Sequence, residues 1–204
     1  QADNHETRSV TDTRDRFLQA ATKAFAERGF YGTSIAGIVD TLPFTKQALL
    51  HHFGSKEKLY GEVLKRISTR LMEDIQEVEA HFDEPRKRLE ETFVHFYNVS
   101  LNRSSETQLL MRELLDNKRR AETARTWYLK PFLEALTQMV LDDTKNSVKS
   151  KQEAFSVVYQ LLGSINYFLV SKPTLTRILG AKEYSKIHRD YEKELRKLIA
   201  ARLD

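Results

Sequence analysis

Hydrophobic positions recur at helical spacing from near the start of the chain to its last residues. Phe17, Leu18, Ala21, Ala24 and Phe25 share one face of a helix expected to run from an Asp12 N-cap to Arg28, after a frayed polar stretch over 1–11. Gly29 follows, where a left-handed cap residue is wanted. Thr33 is expected to cap a short second helix carrying Ile35, Ile38, Val39 and Leu42, which Pro43 ends. Thr45 is expected to cap a third, from Lys46 to His52, closed by Phe53 and Gly54. Ser55 then caps a long helix to about Phe82, with Leu59, Val63, Ile67, Leu71, Ile75 and Val78 on one side.

Asp83, Glu84 and Pro85 read as a stop and a restart, with proline at a first helical position. Helical patterns follow at about 85–102, 104–117 and 121–143, the last expected to kink or split at Pro131. Residues 151–171 are apolar nearly all round and end at Lys172-Pro173; a short turn over 174–179 and Gly180 lead to a final amphipathic helix at about 183–203. No alternating strand pattern and no repeat interrupts this series. The expectation is an all-α protein: three small helices over 1–54, then a larger helical bundle over 55–204.

Composition narrows the function. Seven glycines and four prolines in 204 residues allow few turns, which suits long helices, and 40% hydrophobic residues suffice for a core. The absence of cysteine removes disulfides, thiolate metal sites and a cysteine nucleophile. Charge is only mildly basic, at +4, and residues 1–66 hold 10 basic and 8 acidic side chains, so placement rather than net charge must identify a binding surface. No apolar run is long enough for a membrane span and no secretory signal is visible, so no membrane partner is expected and the cytoplasm is the expected location.

The first 66 residues hold the sharpest pattern. A short helix capped by Thr45, anchored by Leu49 and Phe53, leaves Lys46, Gln47, Ala48 and Leu50 largely on its free side, with His51 and His52 at the far end. That surface suits the major groove: lysine for phosphate or guanine, glutamine for adenine, alanine and leucine for thymine methyls. Thr33, Ser34 and Lys56 stand at neighbouring helix starts, where backbone N–H groups favour phosphate.

Two segments carry a resemblance. Residues 20–34, Ala-Ala-Thr-Lys-Ala-Phe-Ala-Glu-Arg-Gly-Phe-Tyr-Gly-Thr-Ser, resemble the opening of the TetR family of transcriptional regulators, and residues 49–59, Leu-Leu-His-His-Phe-Gly-Ser-Lys-Glu-Lys-Leu, resemble the exit of its recognition helix. The resemblance covers about 14–66. It implies an N-terminal helix-turn-helix DNA-binding domain over 1–54 and a helical-bundle ligand-binding and dimerisation domain over 55–204, a homodimeric repressor of double-stranded operator DNA with a small-molecule effector controlling the spacing of two reading heads; no cofactor is expected. Leu42-Pro43 departs from the small residue and glycine usual in that family's turn, and Leu50 from its frequent tyrosine.

In the remainder, Phe93, Phe96, Tyr97, Gln108, Met111, Leu115, Trp127 and Phe132 are candidate effector-pocket residues, although aromatic and methionine stripes are more often plain core. Val158, Leu162, Ile165 and Phe168, with Tyr191, Leu195 and Leu198 of the last helix, are candidates for a four-helix dimer interface; a central core helix of a monomer is the competing reading. His95 is expected to be a satisfied histidine, since Thr92 stands where a Glu-x-x-His pair would need glutamate, and His51 and His52 diverge. No metal site and no catalytic residue is expected: there is no nucleophile elbow, zincin motif or phosphate-binding glycine loop. A helical small-molecule-binding or interaction module with lost or atypical DNA binding is the alternative, motivated by Leu42, Pro43 and Leu50.

Overall fold

The computed structural model describes the backbone of residues 2–116 and 128–204, and the side chains of 12–115 and 128–204. Ten helices account for nearly all of it: α1 Ala2–Arg28, α2 Ile35–Val39, α3 Lys46–Phe53, α4 Lys56–Glu79, α5 Pro85–Asn102, α6 Ser104–Asp116, α7 Lys130–Asp142, α8 Lys151–Val170, α9 Lys172–Leu179 and α10 Ala181–Leu203. The chain forms two compact units, Gln1–Ile67 with Gln108–Thr123, and Ser68–Thr107 with Ala124–Asp204.

In the first unit α1, α2 and α3 pack against one another around Phe17, Phe25, Ile38 and Leu49, all essentially inaccessible. Burying each such side chain contributes about 2 kcal/mol. Aromatic rings join the pieces: Phe17 lies 5.1 Å from Phe44 and 6.3 Å from Phe53, and Phe25 lies 4.8 Å from Tyr60 of α4, centroid to centroid. The end of α6 belongs to this unit. Arg112 donates to the Ala26 and Glu27 carbonyl oxygens at 2.6 and 2.9 Å, answering carbonyls at the α1 terminus that have no helical partner. Tyr60 donates to the neighbouring Glu113 carboxylate.

The second unit is a helical bundle in which α5 packs on α7, α8 and α10, and α7 on α8. Its core holds Leu89, Phe93, Leu136, Val140, Val157, Val158, Ile165, Leu195 and Ile199. Ser150 and Glu153 form a reciprocal capping box at the start of α8, which fixes where the apolar helix begins. Arg86 donates to Asp143 at 2.5 Å, to Asp204 at 3.1 Å and to the Leu203 carbonyl at 3.3 Å, tying α5 to the ends of α7 and α10.

Several boundaries differ from the sequence expectation. α1 begins at Ala2, because no proline or glycine precedes Asp12 to stop it. Ser34, not Thr33, caps α2 by accepting from the Gly37 amide. α4 stops at Glu79, and Glu84 caps α5. Pro131 and Pro173 sit in the first turns of α7 and α9, where a missing N–H costs nothing: α7 opens at Lys130, and α8 ends at Val170 just ahead of Lys172-Pro173. The expected helical stretch over 121–127 lies outside the described residues.

Candidate nucleic-acid interface

α3 is built as a presented helix. The Thr45 hydroxyl accepts from the Ala48 amide at 3.1 Å, satisfying one of the four unpaired donors of the first turn. Leu49 and Phe53, four residues apart, anchor the inner side, and Gly54 leaves the helix at φ +79°. Lys46, Gln47 and His51 are exposed, and Ala48 and Leu50 are half-buried. His52 is turned partly inward, its ring 5.6 Å from Phe17, so it contributes less to the outer surface than the sequence pattern suggests.

The connection from α2 to α3 needs no glycine. Among the described residues no non-glycine residue has positive φ, so Leu42 and Pro43 make the turn in ordinary backbone conformations. Phe44, packed on Phe17 and covered by the Arg16 guanidinium 4.9 Å from its ring centroid, holds the turn to the core.

Two sequence candidates change role. Thr33 is only 2% exposed, and its hydroxyl makes bonds to the Ala24 and Gly29 carbonyls at 3.1 and 2.7 Å; it locks the loop instead of facing a ligand. Lys56 sends its ammonium to the carbonyl oxygens of Phe30 and Thr33, each at 3.0 Å, and lies 4.3 Å from the Phe30 ring centroid. A charge so engaged fixes the loop between α1 and α2. That loop presents Tyr31, 70% exposed beside Phe30, a residue the hydrophobic pattern did not single out, and Ser34 remains exposed beside it.

The described candidate pocket residues are divided between the two units. Phe93, Phe96 and Phe132 are buried in the second unit, with Phe96 and Phe132 rings 5.7 Å apart. Tyr97 is buried too, but its ring meets Tyr191 at 5.3 Å and His188 at 6.5 Å on α10. Its hydroxyl makes no hydrogen bond, and burial pushes its pKa up to about 12. Gln108, Met111 and Leu115 belong to the first unit, Gln108 exposed and Leu115 77% exposed. Helical phase alone could not separate the two ends of α6. Trp127 lies outside the described residues.

The candidate interface residues also divide. Val158, Leu162, Ile165, Phe168 and Leu195 are buried within their own unit, so little of them remains to cover with a partner; Tyr191 is half-buried and Leu198 exposed. α8 instead turns Phe155, Tyr159, Gly163 and Tyr167 outward, at intervals of four residues, with Tyr167 74% exposed. Arg202 of α10 donates to Gln160 of α8 at 2.8 Å, linking the two helices beside Tyr159. The four-residue interval was the signal, masked in a segment apolar on every side.

Among the described residues no single helix is long and apolar enough to cross a membrane. Residues 17–63 match the family described as bacterial regulatory proteins, tetR family. The transcriptional repressor AcnR of Corynebacterium efficiens is 30% identical over 66 residues, 32% of this chain and 35% of its own length; the repressor KstR2 of Mycolicibacterium smegmatis is 29% identical over 100 residues, 49% of each. The chain therefore spans about a third to a half of these relatives. The transcriptional regulator RutR of Escherichia coli K12 is 22% identical over 174 residues, covering 85% of this chain and 82% of its own. In fold, the chain is similar to KstR2 of Mycobacterium tuberculosis (TM-score 0.65, 16% identity, 91% and 93% covered) and to the fatty acid degradation regulator FadR of Bacillus halodurans (TM-score 0.70, 12% identity, 91% and 93% covered). A capped, outward-facing α3 held on α1 and α2 lies inside residues 17–63, the span over which this chain matches the tetR family of bacterial regulatory proteins.

Proposed function

We propose that the protein is a ligand-responsive transcriptional regulator, acting as a repressor, that binds double-stranded operator DNA as a homodimer. Residues 1–54 read the DNA, and 55–204 bind the effector and the second subunit. The observation that carries this reading is α3: its Thr45 cap and buried Leu49 and Phe53 hold Lys46, Gln47 and His51 outward on a rigid support. Ser34 and Tyr31 are exposed on the loop that Lys56 fixes.

The exposed stripe of α8, with Leu198 of α10, supports dimerisation through these two helices. Two heads double the phosphate contacts and set a half-site spacing. The buried aromatics Phe93, Phe96 and Phe132 suit an apolar effector. Such an effector changes DNA affinity only if it prefers one arrangement of the heads. α4 is one uninterrupted helix whose first residues follow α3 directly, which makes it the natural element for the effector to act on.

The test is selection of duplexes from a random library, followed by fluorescence anisotropy at several salt concentrations. Salt-dependent, sequence-selective binding is expected, with Lys46→Ala and Gln47→Ala each weakening it by about 1–3 kcal/mol for a lost base contact. Enrichment of no sequence, or unchanged affinity in the double variant, would remove α3 as the reading helix and favour a helical interaction module.

A further inference from the structure

The sequence leads one to expect His95 to be satisfied within the core. It is not: its Nε2 is buried and makes no hydrogen bond. The atom lies 3.5 Å from Asp74 Oδ1 and 3.9 Å from Glu77 Oε2, and the three lie within 4.8 Å of one another. Hydrogen bonds to nitrogen fall at about 2.7–3.2 Å, so these separations are too long for direct bonding. They approach the edge of a coordination polyhedron: metal–ligand bonds of about 2.1 Å set tetrahedral ligands roughly 3.4 Å apart and octahedral neighbours roughly 3.0 Å apart. We infer that Asp74, Glu77 and His95 form a binding site for one divalent transition-metal cation.

The supporting shell fits. Asp74 is almost fully buried, and Arg103 grips its carboxylate with two donors, at 2.5 Å to Oδ2 and 3.1 Å to Oδ1. This orients the ligand, as outer partners of metal-bound carboxylates do. Two carboxylates and one guanidinium leave the cluster with one net negative charge. Glu77, one turn from Asp74 on α4, is mostly exposed and can move inward by a rotamer change. One imidazole and two carboxylates suit Zn²⁺, Co²⁺ or Mn²⁺ better than Mg²⁺, and three protein ligands leave a position for water. The cation would tie α4 to α5, since Asp74 and Glu77 lie on one helix and His95 on the other. That makes it a candidate effector, a role that rests on the function proposed above; the site itself does not.

Metal-stripped full-length protein is titrated with Zn²⁺ by calorimetry, and with Co²⁺ by visible absorption. One equivalent should bind, with a Co²⁺ ligand-field band, and Mg²⁺ should not compete. His95→Ala and Glu77→Gln should weaken binding tenfold or more, with unchanged circular dichroism; Glu77 is too exposed for its loss to unfold the chain. Absence of saturable binding, or equal affinity in both variants, overturns the site. In parallel, affinity for a selected duplex is measured with and without Zn²⁺. A zinc-dependent change lost in Glu77→Gln identifies the cation as effector; unchanged affinity overturns that role, and failure to bind any duplex strikes the proposed function while the metal titration still decides the site.

Discussion

The Lys56 ammonium donates to the Thr33 carbonyl oxygen across 3.0 Å, joining the first turn of α4 to the loop that precedes α2. The same group holds the Phe30 carbonyl, so one cation closes both ends of the loop. A lysine at a helix start is readily taken for a phosphate ligand, and here two of its three donors are committed within the protein.

Lys56→Met should therefore act through position rather than charge. Stripping two carbonyls of a charged donor costs about 1–3 kcal/mol of stability. Affinity for selected duplex should fall, while the slope of log K against log salt stays that of the native protein. A lost phosphate contact would instead reduce that slope by about 1, and anisotropy over a salt series separates the two.

The Thr45 cap is testable alone. Thr45→Ala should lower unfolding free energy by about 1 kcal/mol in urea denaturation, and Thr45→Asp should recover most of it, because aspartate caps as well. Duplex affinity should follow the same order. Equal stability of all three proteins would show that α3 is held by Leu49 and Phe53 alone.

Gly163 distinguishes the outer face of α8 from its inner one. A Cβ placed there meets nothing within 4 Å, and leaving glycine gains up to about 1 kcal/mol of helix propensity. Gly163→Leu should keep or raise subunit stability yet shift light-scattering mass toward monomer, because it keeps two backbones apart. Val158→Ala, inside the core, should lower stability without directly altering the contact surface. Dimers unaffected by Gly163→Leu would place the interface elsewhere.

Acid sensitivity should be traceable to Glu91. Arg196 donates to its carboxylate at 2.8 Å and Lys87 lies 2.7 Å away, and the bond from Arg196 is the largest cause holding its pKa below the ordinary value of 4.5. A depressed carboxylate stabilises the folded state above its unfolded pKa, and the contribution is lost as pH falls through the folded one. Thermal melts between pH 6 and pH 3 should fall less steeply in Glu91→Gln than in the native chain, the difference opening below about pH 4.5.

What could be read from the sequence was whatever depends on neighbours along the chain. Helical spacing located α3 and its Thr45 cap, the core positions Phe17, Phe25 and Leu49, and the outward Lys46 and Gln47. Contacts between distant segments were not legible. Nothing near Lys56 announces that its ammonium turns back to Phe30 and Thr33, and nothing near His95 indicates that Asp74 and Glu77 face it from another helix. Thr33 and Ser34 are equally good caps by type; the buried carbonyls of Ala24 and Gly29 decide between them. In α8, apolar on every side, composition could not say which residues a subunit keeps for itself.

The stripe on α8 has a bearing on how the protein behaves when scarce. A lone copy leaves Phe155, Tyr159 and Tyr167 bare to water, and such a surface adheres to whatever greasy patch it meets first. If the proposed homodimer forms through this stripe, its durability is tied to its own abundance, since mass action shelters those rings only when a second copy is near. On that proposal, three aromatic side chains couple how long a copy survives chaperones and proteases to how many copies surround it.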